Sequence, residues 1–300
     1  MEWAFLKGPR PTMRKCAAIL IPTCAALGLL GCNLPAPGQG KSQPPGRMPG
    51  AGNAGDGKTA EAKLVQIRML SIEVPLGAAS GSEDIWSYLD EESVRGSELA
   101  NLAHNGFRVG VARRDSWRHL ERIFIRLTGR RARGAVMSGL PGNPIQVVLK
   151  RRQPAQTIFT FYEDKTISGR DLPPGDNVLT ILCALNAGEP NEVVVIGRPQ
   201  VRATHQKTEI IDDRSGFLWV SRPKMYDFGP LAFQVSVPND DLIVVGPGAA
   251  ARRPTSVARH FLIKEKEGIR FETVLVLIPR VVRASARSAP AGSPGSAGRS

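Results

Sequence analysis

Apolar residues from position 145 onward fall in short, β-branched runs, at 145–149, 157–162, 178–185, 192–196, 216–220, 231–237, 242–245 and 271–278. Turn-forming stretches such as Pro173-Pro174-Gly175-Asp176-Asn177 and Pro238-Asn239-Asp240-Asp241 separate them. Runs of this length and composition predict strands, and their spacing predicts a mainly antiparallel β-rich domain over 145–283. The last run differs from the others. Residues 272–282 are apolar almost throughout instead of alternating, as suits a strand buried on both faces. Phe271, Val274, Val276 and Ile278 are therefore expected in the core, with Pro279, which lacks an N–H, ending the pairing.

Residues 63–135 mix the two periods. Residues 65–74 alternate well enough for a strand, 97–104 read as a short helix stopped by Asn105-Gly106, and 107–111 read as a second strand. Residues 115–127 have the helical period: Trp117, Leu120, Phe124 and Leu127 share one face, and Arg118, Arg122 and Arg126 another. Asp115 or Ser116 can cap this helix, and Gly129 sits just past its end. The expected fold class is α+β, a small β-α-β-α unit over 63–135 followed by the β-rich domain.

Both ends lose the pattern. Residues 32–62 are rich in Pro and Gly with almost no apolar content, so they cannot bury enough surface to fold and predict a disordered tether. Residues 284–300 are low-complexity and predict a disordered tail. From Met13 the chain shows a basic pair (Arg14, Lys15), an apolar stretch over 16–30, then Gly31 and Cys32. That stretch is short of the roughly 20 residues of a comfortable membrane span and suits the core of a signal peptide. Met1–Thr12 adds nothing to such a signal, which makes Met13 a candidate initiator.

The end of this segment, Leu29-Leu30-Gly31-Cys32, is similar to the lipobox of bacterial lipoproteins, with Leu30 larger than the usual residue there. The resemblance implies a signal peptide over 1–31, cleavage between Gly31 and Cys32, and acylation at Cys32. Each buried methylene contributes about 0.8 kcal/mol, so two or three acyl chains anchor stably where one does not. The expected place is the cell envelope, lipid-anchored on the periplasmic face of the inner or outer membrane. Cys16 and Cys24 would leave with the signal, so Cys183 is the only other cysteine of the mature chain. Within an apolar run it is expected to be a buried small hydrophobe.

Charge adds a preference in partners. The chain carries +13, and the signal accounts for three of these charges, leaving +10. Nine arginines lie between Arg108 and Arg133 against Asp115 and Glu121, and a second basic stretch covers the last fifty residues. Outside the cytoplasm such a surface faces anionic lipid, glycan or an acidic protein. Nucleic acid is not an expected partner, since aromatic residues are only 6% of the chain and offer few stacking platforms.

No reaction chemistry stands out. Gly52-Asn53-Ala54-Gly55-Asp56-Gly57-Lys58-Thr59 matches the spacing of a phosphate-binding loop, but the Gly-rich residues before it cannot form the strand that such a loop needs. His104, His119, His205 and His260 have no metal-like spacing. Asp212-Asp213 and Asp240-Asp241 are expected in turns, holding local hydrogen bonds. No catalytic residue, cofactor or metal is therefore expected.

Residues 231–282 resemble the C-terminal end of the secretin family, the outer-membrane channels of secretion and pilus systems. The resemblance lies in a strand at 233–237, a strand at 240–246 ending on glycine, the aromatic segment Ala258-Arg259-His260-Phe261, and the final Glu272-Thr273-Val274-Leu275-Val276-Leu277-Ile278-Pro279-Arg280-Val281-Val282. Pro247 stands where the family has the second of two glycines after the strand, and Ala258 stands where the aromatic segment usually opens with a glycine. The match covers about 50 of 300 residues, so it implies a reduced relative or an assembly partner. The expected function is a non-enzymatic, membrane-tethered envelope lipoprotein with a structural or interaction role in a secretin-like assembly. The alternative is a periplasmic enzyme or small-ligand-binding protein on the same β-rich scaffold.

Overall fold

The computed structural model describes residues 62–284 apart from 163, 187, 190, 214 and 215. The signal peptide, Gly31 and Cys32, nearly all of the tether, the loop-like Gly52 to Thr59 stretch and the tail lie outside the described residues. The chain runs β1 (Ala62–Pro75), α1 (Gly96–His104), β2 (Phe107–Ala112), α2 (Trp117–Thr128) and β3 (Gly134–Gly139). It continues through β4 (Ile145–Gln153), β5 (Gln156–Phe161), β6 (Ile167–Leu172), β7 (Gly175–Leu185), β8 (Glu192–Asp213) and β9 (Gly216–Asp227). Last come β10 (Phe233–Pro238), β11 (Leu242–Pro247), α3 (Val257–Leu262), β12 (Ile263–Lys266) and β13 (Ile269–Ala284).

The expected antiparallel, β-rich architecture is present. The first sheet has the order β2-β11-β13-β1-β3, with β12 also paired to β13, and the second the order β10-β8-β7-β4, with β9 paired to β8. The expected β1-α1-β2-α2 order is also present, but β1 and β2 do not pair. Strands β13 and β11, from the far end of the chain, lie between them. The sheets therefore do not divide the chain at residue 145.

Apolar periodicity explains three layers. Val65 and Ile67 of β1, Ile243 and Val245 of β11, and Leu275 and Leu277 of β13 face Val147, Ile181, Val195 and Val235 of the second sheet in one core. The alternate residues of the same strands, Leu70, Ile72, Val244, Val274 and Val276, face a second core closed by Leu120 and Phe124 of α2 and by Trp86. Fully burying one such side chain is worth about 1.5–3 kcal/mol. Trp117 and Leu127 are partly buried on the same helix face, and Arg118, Arg122 and Arg126 are exposed, as the period predicts. Gly129 closes α2 with a left-handed backbone (φ 69°) that most side chains resist. Neither Asp115 nor Ser116 caps its start by a side-chain bond; a 3-10 turn over Arg114–Ser116 leads into it instead.

β13 is the central strand. It pairs with β1 from Phe271 to Ala284, and with β11 and β12 on its other edge. Residues 272–277 are buried consecutively, so both faces are covered as expected. Val274 and Val276 are core; Phe271 and Ile278 are only partly buried. The expectation that Pro279 ends the strand is corrected, because the ladder with β1 runs five residues further, to Ala284. The Pro279 carbonyl accepts from the Asp240 N–H (2.9 Å) in the β10–β11 turn. In a strand a residue's N and C=O point to the same side, so the missing N–H faces that turn and costs the β1 ladder nothing.

Candidate functional site

Strand β8 is 22 residues long, about twice what its sheet uses. Its first half, 192–203, is held by β7 on one edge, and on the other by β10 over 192–197 and by the end of β9 over 200–202. Beyond Thr204, whose N–H reaches the Pro174 carbonyl, β8 has only β9 as a strand partner among the described residues, in register from Gln206↔Pro223 to Asp213↔Gly216. Eight residues at roughly 3.3 Å each make a two-stranded ribbon about 25 Å long.

Among the described residues nothing covers this ribbon. Every described side chain from Thr204 to Trp219 is exposed, including Ile210 (55%), Phe217 (78%), Leu218 (56%) and Trp219 (68%). Ile210 stands opposite Trp219 in the ladder, so the pair shares a face. Both outer edges of the ribbon lack a strand partner among the described residues. A lone two-stranded hairpin is marginal in water, and an open edge of N–H and C=O groups is a template for another strand. Exposed apolar side chains on such an element mark a contact surface.

The residues singled out from sequence are scattered. His104 ends α1, His119 on α2 stacks on Tyr88 (5.5 Å between ring centres), His205 lies at the base of the ribbon, and His260 is in α3. Among the described residues no group of three His, Cys, Asp or Glu side chains converges. Asp240 and Asp241 do hold the β10–β11 turn: Asp241 accepts from the Arg114 N–H (3.0 Å), and Asp240 pairs with Arg114 and Arg280. Asp212 and Asp213 are the last two positions of β8, not turn residues, because the ladder extends to Asp213. Cys183 is buried in β7, and burial pushes its thiol up to about 12.

The arginine-rich stretch is partly internalised. Arg108 pairs with Glu83 (2.8 Å) and Glu91 and lies over the Trp86 ring. Arg126 reaches Asp84 (2.7 Å). What sequence reasoning missed is the exposure of Phe217, Leu218 and Trp219. They have the composition of a core strand, and only their polar surroundings, Asp212-Asp213-Arg214-Ser215 before and Ser221-Arg222-Pro223-Lys224 after, set them apart.

Among the described residues no helix is long and apolar enough to cross a membrane, which leaves strand-built crossings open. No family model and no curated protein matches the chain. Among solved structures it is similar to the secretin-domain β-barrel of InvG from the Salmonella SPI-1 injectisome base, at 10% identity and a TM-score of 0.16. The similarity covers 77% of this chain and 63% of that one, and at that score it settles neither fold nor function.

Proposed function

We propose that this chain is a lipid-anchored envelope protein whose role is structural, and that its β8–β9 ribbon joins it to further copies of itself. The observation that carries this reading is a ribbon open on both edges, exposed on both faces and tipped with Ile210, Phe217, Leu218 and Trp219. Identical neighbours satisfy such a ribbon completely. The outer edge of β9 in one copy can pair with the outer edge of β8 in the next, antiparallel, and the repeat closes into a ring without edges. In hydrocarbon, closure is the only way strands avoid unpaired backbone groups.

The finer proposal, a secretin-like assembly, is supported by the C-terminal motifs. Strand, turn, strand, short aromatic helix and long final strand follow one another over 233–284 in the order the resemblance implies. Sedimentation of the detergent-extracted full chain tests the reading against a variant in which 206–223 is replaced by a two-residue turn. The full chain is expected to sediment as a defined oligomer and the variant as a folded monomer. A full chain that is monomeric at the concentrations where the variant is monomeric would refute it.

A further inference from the structure

Apart from the ribbon, the chain builds a second feature open to a partner. A cleft of about 680 Å³ opens between β4, α3, β12 and the start of β13. Its walls carry Lys150, Arg151, Arg259, Lys264, Lys266 and Arg270, against the single carboxylate of Glu265. Three of these cations are already matched: Lys264 and Lys266 by Glu73, and Arg270 by Glu265 (3.2 Å). Lys150, Arg259 and the exposed Arg151 have no ion pair among the described residues.

Lys150 is partly buried, and among the described residues its ammonium donates only to the Arg259 carbonyl (3.2 Å). Burial, with Arg259 and Lys264 facing it, pushes it down to about 8. Beside it His260 bonds Gln156 through Nδ1 (3.1 Å), while Nε2 is buried without a partner. Folds seldom leave cations converging on a cleft without a counter-charge, because each one repels the next as it loses water. Such a place is completed by an anion.

We propose that this cleft binds a phosphate-bearing ligand, with Lys150 and Arg259 as its principal contacts. A guanidinium offers paired N–H donors to an oxyanion and an ammonium adds a point charge. The cleft is far larger than a bare phosphate, so the group belongs to a larger molecule, either a soluble phosphate ester or a phospholipid headgroup. None of the cleft's residues belongs to the ribbon.

The test uses the full chain carrying Cys32→Ser, so that no acyl anchor holds it to vesicles. Two probes are titrated at low salt: inorganic pyrophosphate by calorimetry, and phosphatidylcholine vesicles with or without phosphatidylglycerol by flotation. Lys150→Gln/Arg259→Gln is compared with Arg118→Gln/Arg122→Gln, which removes the same charge from the exposed face of α2. Binding of pyrophosphate that weakens at least about tenfold in the first variant only identifies a soluble phosphate ligand. The same pattern with phosphatidylglycerol vesicles alone identifies a lipid headgroup. Absence of binding to both probes, or equal weakening in the two variants, overturns the proposal. Thermal melts guard the comparison, since losing an unpaired buried charge should leave the first variant no less stable.

Discussion

Glu272 lies fully buried in the central strand, and its carboxyl accepts from the Ala79 N–H (2.7 Å), the Ser80 N–H (3.0 Å) and the Ser80 hydroxyl. It thereby pins the 76–81 loop that also takes the Trp86 indole N–H at the Ala79 carbonyl (2.9 Å). Glu272→Ala leaves three donors without a partner and should cost about 2–4 kcal/mol in denaturant unfolding, with Glu272→Gln costing less. Lys150 makes the reverse case. Its folded value, about 8, lies below the ordinary 10.5, so between those values the unfolded chain binds more protons and stability rises with pH. Lys150→Met should therefore be more stable than the natural chain near pH 7, by about 1–3 kcal/mol, with the gap closing as pH approaches the ordinary lysine value. Melts of both proteins across that range check it; a constant gap would contradict it.

Elements with a single strong period are legible in the sequence alone. The α2 stripe of Trp117, Leu120, Phe124 and Leu127 reads directly as a buried face, and the unbroken apolar run of β13 reads directly as a central strand. The place of Pro279 is not legible, because its cost depends on which neighbour its nitrogen faces, and that is a property of pairing, not of sequence. The ribbon is hidden for a related reason: 216–220 looks like any buried strand until its partner is seen to outrun the sheet. Since β13 pairs with β1, β11 and β12, truncation after Gly268 should unfold the protein, whereas removing 285–300 should leave its thermal melt unchanged. Val276→Asp, which places an unpaired charge in the core between the first sheet and α2, should destabilise by several kcal/mol.

For the whole molecule, the long-range pairing that inserts β11 and β13 between β2 and β1 leaves no local trace, so a boundary near 145 is natural in sequence and absent from the sheets. The proposed anchor is the converse, resting on the sequence alone. Mass spectrometry of the mature protein should find a diacylated Cys32 at the N-terminus, and an unmodified N-terminus elsewhere would remove the lipoprotein reading. The central claim is that the ribbon is completed by other copies, and amide hydrogen exchange on the detergent-extracted full chain tests it most directly. Assembly predicts that amides over 206–213 and 216–223 are protected to the level of β7 and become fast-exchanging when the protein is diluted to monomer. Fast exchange in the ribbon at every concentration, with β7 protected throughout, would contradict it.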